Sequence, residues 1–290
     1  MKVIYLDNNA TTKVAPEVVE AMLPYLSDYY GNPSSMHSFG GDVAEKIKEA
    51  RENVANLIGA TADEIVFTSC GTESDSTAIR AAIESNPDRK HIVTSRVEHP
   101  AVKNLCEVLS KKGYRVTFVP VDGQGILELD YLYKNLSDDT AVVSLMWANN
   151  ETGVLFPIEE ISQRTKDQGI VFHTDAVQAT GKIPVDLKDS GIDMLSMSGH
   201  KIHAPKGVGA LYVRRGTPCR PFMIGGHQEE GRRAGTENVP YIVGLARAVD
   251  LAGQRHNAYR VHPPYKGGVG YAFWERELTV PTDGRLELYT

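Results

Sequence analysis

The 290-residue sequence lacks an excess of basic residues, a long hydrophobic segment and an even set of cysteines. Lys and Arg number 31 against 37 Asp and Glu, and the formal net charge of −6 argues against a nucleic-acid-binding protein. No run of about 18 apolar residues occurs, so no membrane span is expected. The N-terminus lacks the apolar region and cleavage site of a signal peptide, and the cytoplasm is therefore the expected compartment.

Cysteine is scarce and widely spaced. The three cysteines are Cys70, Cys106 and Cys219. An odd count at such distances argues against a disulfide framework and against a structural zinc site, so no metal site is predicted. What the sequence does contain is 41% hydrophobic residues, which is enough for a sizeable core and excludes general disorder. The length suits one large domain or two smaller ones.

Short apolar runs alternate with helical patterns along most of the chain. Helices are predicted over residues 16–26, 41–58, 73–85, 101–112 and 158–167, with Gly59 ending the second. Strands are predicted over residues 64–69, 91–95, 115–121, 141–148, 170–174, 194–198 and 208–213. Strands that alternate with helices indicate an α/β fold with a mostly parallel sheet covered on both faces.

Five of the predicted strands are followed by polar groups. The residues that follow them, in chain order, are Thr72, His99, Asn150, Asp175 and Lys201. Because the carboxyl ends of parallel strands line the ligand crevice of an open sheet, we expect these side chains to share one rim. Single polar residues at strand ends are ordinary turn formers, but five complementary ones favour a functional site.

Lys201 ends the segment Ser198-Gly199-His200-Lys201, between two apolar runs. Lysine is normally a solvated surface residue, so Lys201 is either a stray charge or a working amine. A partly desolvated lysine is what Schiff-base formation with an aldehyde cofactor requires.

An anion site is predicted where a helix begins directly after the first of these strands. Backbone N–H groups at Gly71 and Thr72 would point past the strand end, where the helix dipole favours a phosphate. The alternative is a simple Thr72 N-cap with no ligand. Ser198 and His200 are further candidate donors to a phosphate.

A ring-binding site is predicted from the remaining polar groups. A carboxylate such as Asp175 keeps a pyridine nitrogen protonated, as enzymes that use pyridoxal phosphate (PLP) require. The alternative is that Asp175 only caps the next turn. His99 is a candidate for stacking on a flat cofactor or moving a proton, or it is a hydrogen-bonded turn residue. Asn150 and Gln178 are candidate donors to a ring oxygen.

The ordered motifs of residues 3–252 resemble the cysteine desulfurases of the class V aminotransferase fold, and most of all their NifS branch, which supplies sulfur for nitrogenase maturation. The segments that carry the resemblance are residues 5–12 (YLDNNATT), 31–35 (GNPSS), 68–74 (TSCGTES), 97–102 (VEHPAV), 149–153 (NNETG), 173–178 (HTDAVQ), 198–201 (SGHK) and 232–238 (RRAGTEN).

The resemblance implies a fold-type-I PLP enzyme that removes sulfur from L-cysteine. In this reading Lys201 holds PLP and moves the Cα proton, Asp175 pairs with the ring nitrogen, and His99 stacks on the ring. Contacts to the ring substituents and the phosphate are then implied for Asn150, Gln178, Gly71, Thr72, Ser198, Gly199, His200 and, from a partner subunit, Thr236. A homodimer and an iron–sulfur scaffold protein as sulfur acceptor are implied as partners.

The resemblance also implies a domain division and a difficulty. Residues 1–14 would belong to a small domain that is otherwise largely missing, and residues 15–254 to the PLP-binding large domain. Residues 255–290 match nothing in the family and are expected to form a poorly ordered tail. The family's sulfur-accepting cysteine lies in the C-terminal third, whereas this sequence has no cysteine after Cys219. The chain is therefore expected to bind PLP and to form little persulfide.

Two of the cysteines have predicted roles, and three other functions are alternatives to a cysteine desulfurase. Cys70 is a weak candidate for the sulfur acceptor, and Cys106, on the apolar face of a helix, is expected in the core. Another PLP lyase, such as a selenocysteine lyase, would not need the missing thiol. A non-catalytic PLP-binding remnant or dimerisation partner is the other alternative. A nucleotide-binding protein is disfavoured because the usual glycine-rich phosphate loop is absent.

Overall fold

A seven-stranded mixed sheet forms the centre of residues 5–259, the part of the chain that the computed structural model describes. Its strand order is β1-β7-β6-β5-β4-β2-β3, and only β7 runs antiparallel to its neighbours. The strands are β1 (Ile65–Thr68), β2 (His91–Ser95), β3 (Arg115–Val119), β4 (Thr140–Met146), β5 (Val171–Asp175), β6 (Met194–Ser198) and β7 (Gly209–Val213).

Helices cover both faces of the sheet. They are α1 (Pro16–Met22), α2 (Pro24–Ser27), α3 (Ser38–Leu57), α4 (Gly71–Ser85), α5 (Pro100–Lys111), α6 (Leu129–Asn135), α7 (Ile158–Asp167) and α8 (Val239–Tyr259). Helices α4 and α5 pack on one face, and α1, α3, α7 and α8 contribute to the core on the other. No helix within residues 5–259 is both long and apolar enough to cross a membrane.

The predicted α/β architecture is confirmed, including the mostly parallel sheet. One prediction is wrong in detail: the single helix expected over residues 16–26 is two helices, because Pro24 lacks the N–H that a continuous helix would use. Helices α6 and α8 were not predicted. Of the tail, residues 255–259 continue the backbone of α8, and the prediction for residues 260–290 falls outside the described residues.

Most of the strands are buried on both faces, as their near-continuous apolar sequences require, and the edge strand β3 is the most exposed. Every residue of β1, β2, β4, β6 and β7 is buried, and Phe172 and Tyr212 are among the largest side chains with almost no exposure. Fully burying such a side chain stabilises the fold by roughly 1.5–3 kcal/mol. The sheet is therefore a rigid support for whatever follows its strand ends.

Strand β7 enters the sheet through a glycine that joins two strand ends. Gly209 pairs with Thr68 of β1 and with Ser198 of β6. A Cβ atom added there would lie 2.6 Å from the Met197 carbonyl oxygen and 3.0 Å from the Cys70 carbonyl carbon. Glycine thus lets the ends of β1 and β6 lie close to β7, and these ends begin two of the predicted functional segments.

We expect Gly209→Ala to lower the free energy of unfolding by about 1–3 kcal/mol, because the added methyl group meets backbone that cannot move aside. The matched control is Gly41→Ala in α3, where nothing lies within 4 Å of the added atom. That change should stabilise the chain by about 0.5–1 kcal/mol. Urea unfolding measures both; equal effects of the two substitutions would contradict the packing described for β7.

Candidate active site

The predicted site residues follow strands that end at one edge of the sheet. Strands β1, β2, β4, β5 and β6 are mutually parallel, so the segments after them leave on the same side. Asp175 is the last residue of β5, and Ser198 is the last residue of β6. A 3-10 turn, Gly199–Lys201, follows β6 directly and carries the lysine.

The Lys201 amine is half-buried at this edge. Its Nζ donates hydrogen bonds to the carbonyl oxygens of Asn9 and, at 3.0 Å, Ala10. Burial lowers the pKa of Lys201, and the negative charge of Asp175, with two more distant carboxylates, partly opposes that shift. A lysine with a lowered pKa has a larger neutral, nucleophilic fraction than a surface lysine, which suits a working amine.

Asp175, on the neighbouring strand, is buried, and its negative charge acts on the Lys201 amine. Its side chain is 7% exposed, and its Oδ1 accepts a hydrogen bond of 2.9 Å from the Val177 amide. Burial raises the pKa of Asp175, while the Val177 amide and the positive charges of His99 and Lys201 oppose the rise. The Val177 bond is a turn cap, so the predicted capping role of Asp175 is present, and the pairing of Asp175 with a ring nitrogen stays a prediction.

His200 lies within a group of cationic side chains. Burial, followed by the charges of Lys201, Lys206, Lys182 and His99, lowers the pKa of His200 to about 4. The imidazole is therefore neutral at neutral pH and surrounded by positive potential. Such a group attracts an anion, and a bound phosphate would relieve the mutual repulsion of these cations.

The N-terminus of α4 supplies backbone donors beside this cationic group. The N-cap residue, Cys70, makes no side-chain cap, so it leaves the first amides of the helix to other partners. A Cβ at Gly71 would lie 2.8 Å from Val177 Cγ2 and 3.5 Å from Ser198 Cβ. Glycine therefore brings this helix end against the ends of β5 and β6, where the amides and the Ser198 hydroxyl suit a phosphate.

Gln178 lies within the same edge. It is buried, its Nε2 donates to the Asn9 carbonyl oxygen at 3.0 Å, and its Oε1 accepts from Lys182. Asn150 lies in the turn after β4 and donates from Nδ2 to Glu151 at 2.5 Å. The charge of Glu151 acts on Lys201, which places this turn near the amine.

His99 and Thr72 are exposed and share a surface depression between α4 and α5. His99 also caps α5, since its Nδ1 accepts a hydrogen bond of 3.2 Å from the Ala101 amide. The predicted turn role of His99 is thus present, and its ring stays accessible. Thr236 is not brought to this group: it is exposed in the segment between a 3-10 turn, Gln228–Gly231, and α8.

Sequence reasoning missed Glu98, which is 5% exposed beneath the site. Its Oε1 accepts from Ser95 Oγ at 2.6 Å and from the Met146 amide at 3.0 Å, so it ties the ends of β2 and β4 together. Burial, with the charge of Asp175 acting in the same direction, raises the pKa of Glu98 to about 8 against the opposing hydrogen bonds. Glu98 lies in a short connection between Val97 and the N-cap of α5, where no helical or strand periodicity indicates that a side chain is buried.

The cysteines divide as expected in part. Cys106 is fully buried in the α4–α5 core, which confirms its structural role, and burial raises the pKa of its thiol to about 12. Cys70 is half-buried, and burial raises the pKa of Cys219. Within residues 5–259, no group of three or more His, Cys, Asp or Glu side chains is arranged to hold a metal ion.

Sequence comparison places this chain among known families. The family described as Aminotransferase class-V matches residues 4–262. The match ends ten residues beyond the expected limit at residue 252 and includes residues 255–262, so the expectation that nothing after residue 254 matches the family is wrong for those eight residues. A cysteine desulfurase of Trichormus azollae is 64% identical over 251 residues, covering 87% of this chain and 63% of that protein. Cysteine desulfurase NifS of Azotobacter vinelandii is 60% identical over 250 residues, which cover 86% of this chain and 62% of that protein. The chain thus spans less than two thirds of these curated relatives.

Solved structures agree with the sequence relatives. A structure titled NifS-like protein superposes with a TM-score of 0.86 at 43% identity, covering 89% of this chain and 71% of that one. A structure titled SspA in complex with cysteine gives a TM-score of 0.82 at 40% identity, covering 85% of this chain and 72% of its own.

We expect Glu98→Gln to flatten the dependence of stability on pH. The folded chain keeps the Glu98 proton up to about pH 8, whereas the unfolded chain loses it near the ordinary pKa of 4.5. The free energy of unfolding should therefore fall as the pH rises through this window, by on the order of 1 kcal/mol per pH unit. Glu98→Gln should remove the part of that slope that Glu98 contributes, so the slope becomes measurably shallower.

Urea unfolding at half-unit pH steps from 5 to 8 measures the slope. The control is Asp139→Asn, which removes an exposed carboxylate whose pKa is lowered, so that it titrates below this window in both states. Equal slopes in the original chain and in Glu98→Gln would show that Glu98 is ionised when folded.

Proposed function

This chain belongs to the class-V aminotransferase family, and we propose that residues 15–254 bind pyridoxal phosphate and carry the PLP-dependent part of cysteine desulfuration. Cysteine desulfurases of this family use PLP, and the similarity to them supports L-cysteine as the proposed substrate. In this proposal residues 1–14 belong to the small domain.

The proposal rests mainly on the electrostatic interaction between Lys201 and Asp175. They leave adjacent strands, β6 and β5, at one edge of the sheet, and each shifts the pKa of the other toward its charged form. A desolvated amine beside a buried carboxylate suits a cofactor that presents an aldehyde and a ring nitrogen to the same surface. Within the described part of the chain, neither side chain forms an ion pair within 4 Å that would explain its burial otherwise.

The donor set fits the phosphate of that cofactor. The α4 amides at Gly71 and Thr72, the Ser198 hydroxyl and the neutral His200 would hold the phosphate, with the surrounding cations supplying the charge. Gly199 lets the turn pack closely on the segment before β7, since a Cβ there would lie 3.0 Å from Ala204 Cβ and 3.0 Å from Val208 Cγ1. In a dimer, Thr236 of a second copy would add a donor, which agrees with its exposure.

The remaining residues would act on the ring and on the substrate. Bound PLP supplies an electron sink that stabilises negative charge at the carbon attached to the amine nitrogen. Asp175 would hold a proton at the ring nitrogen, and the exposed ring of His99 would lie against the cofactor. Asn150 and Gln178 would bind ring substituents. Lys201 Nζ would take the Cα proton of L-cysteine and later return it.

Transfer of the cysteine sulfur requires a protein thiolate. The three cysteines of this sequence offer no well-placed candidate: Cys106 is in the core, Cys219 has a raised pKa, and Cys70 lies at the proposed phosphate site. We therefore propose weak persulfide formation by the 290-residue chain. By analogy with its relatives, we further propose a cytoplasmic homodimer that passes sulfur to an iron–sulfur scaffold protein.

We expect Lys201→Ala to abolish the visible absorbance that PLP acquires when bound through a lysine, because the attaching amine is gone. The control is Lys206→Ala, which removes an exposed cation from the same surroundings and should keep the absorbance. Absorbance spectra and equilibrium dialysis with PLP measure both variants. An unchanged spectrum in Lys201→Ala would show that the cofactor is attached elsewhere.

We expect the PLP-loaded 290-residue chain to form little persulfide and little sulfide from L-cysteine. Measurements of alanine, sulfide and persulfide, each repeated with selenocysteine, separate the alternatives. Alanine and selenide from selenocysteine alone would favour a selenocysteine lyase. Robust sulfide production from cysteine would contradict the proposal and direct attention to Cys70, whose replacement by Ser would then stop it.

A further inference from the structure

Four buried polar side chains form a connected row directly beneath the candidate active site. Ser144 Oγ lies 2.8 Å from His173 Nδ1, and His173 Nε2 lies 2.9 Å from Ser196 Oγ. The same Nε2 lies 3.6 Å from Asp75 Oδ1. None of the four residues is more than 1% exposed. They come from β4, β5, β6 and α4, so the row spans the centre of the sheet and reaches the helix at the proposed phosphate site.

This row leads to Asp175. His173 and Asp175 are two residues apart on β5 and therefore lie on the same face of the sheet. Ser196 is the register partner of Asp175 on β6. The row is thus continuous with the carboxylate proposed to face the ring nitrogen of the cofactor.

The ionisable groups with the largest effect on Asp75 are acidic: Asp175 from β5, Glu98 from the segment after β2 and Cys70 from the segment before α4. The Oδ1 atom of Asp75 has no hydrogen-bond partner among the described residues. Burial, and then the charge of Asp175, raises the pKa of Asp75 well above its ordinary value, against an opposing hydrogen bond from the Ser196 side chain.

His173 does not supply the missing positive charge. Burial lowers the pKa of His173 to about 3, so its imidazole is neutral at neutral pH. The contact between Asp75 and His173 is therefore not a salt bridge. A neutral imidazole between two serine hydroxyls satisfies both of its ring nitrogens by hydrogen bonding alone.

We propose that Asp75 is a positioning residue that remains protonated, and that with His173 and the two serines it forms a neutral floor beneath Asp175. The row then adds no charge of its own, and Asp175 alone carries the negative charge that faces the cofactor and Lys201. A second ionised carboxylate here would be left without a counter-charge in a desolvated site. This inference rests on the proposed function for the role of Asp175, but the protonation of Asp75 does not.

The direct test uses the cofactor-free 290-residue chain. Infrared spectra at pH 7 report protonated carboxylic acids by their carbonyl stretch, which ionised carboxylates lack. We expect Asp75→Asn to remove about one acid group from that band, and Glu98→Gln to remove another. The matched control is Glu73→Gln on the same helix, a buried carboxylate whose pKa is lowered beside Arg233. It should leave the band unchanged. An unchanged band in Asp75→Asn would overturn the proposal.

A second measurement needs no substitution at Asp75 and so does not depend on the variant folding. ¹⁵N spectra of the original chain, with His173→Gln used only to assign the resonance, report the charge of the imidazole. We expect a neutral His173 at pH 7 and at pH 5. An imidazolium signal at pH 7 would mean that Asp75 and His173 form a buried ion pair, which also overturns the proposal.

The link to the cofactor is tested by PLP affinity. Asparagine copies the shape of a neutral aspartic acid, so Asp75→Asn should bind PLP within about threefold of the original chain. A loss of more than about tenfold in a folded variant would show that a charged Asp75 is needed. If the original chain binds no PLP, the proposed function fails, while the infrared and ¹⁵N results still decide the state of Asp75.

Discussion

Two opposite charges, the half-buried Lys201 amine and the buried Asp175 carboxylate, act on one another at one edge of the sheet, and the rest of the site depends on this pair. Burial moves each pKa toward the neutral form, and the opposite charge of the other moves it back. Burying unpaired charges is costly, so neither group would be tolerated alone at this place. Groups with perturbed pKa values cluster at functional sites, which agrees with the proposed role of this pair.

The fold provides this balance because parallel strands end at a common edge. Side chains far apart in sequence meet there without any of the strands having to distort. Glycine at two positions, Gly71 and Gly209, allows the helix end and the neighbouring strand to approach the site. The cations around His200 then favour a phosphate, and the buried acids beneath the sheet edge must stay neutral for the single charge of Asp175 to act. Positive potential thus lies on the phosphate side and negative potential under the ring.

Much of this could be predicted from the sequence, since the strand and helix periods are strong and the strand ends carry polar groups. The bounds of β2, β6 and α7 agree with prediction residue for residue. Burial of individual acids could not be predicted in the same way. Asp75 is three positions before Ala78 and seven before Ala82, both on the buried side of α4, and this helical spacing does indicate burial. An aspartate is nevertheless expected to be solvated unless other evidence shows that it is buried. Glu98 carries no such spacing, and the contacts with Ser95 and Met146 that explain it exist only in the folded chain.

The most direct test of this account is to identify the lysine to which the cofactor attaches. The 290-residue chain is loaded with PLP, reduced with borohydride to fix the cofactor to its amine, digested, and mapped by mass spectrometry. The account predicts the modification at Lys201. Modification at Lys182 or Lys206 instead, or at no lysine of a chain that is shown to be folded, would contradict it.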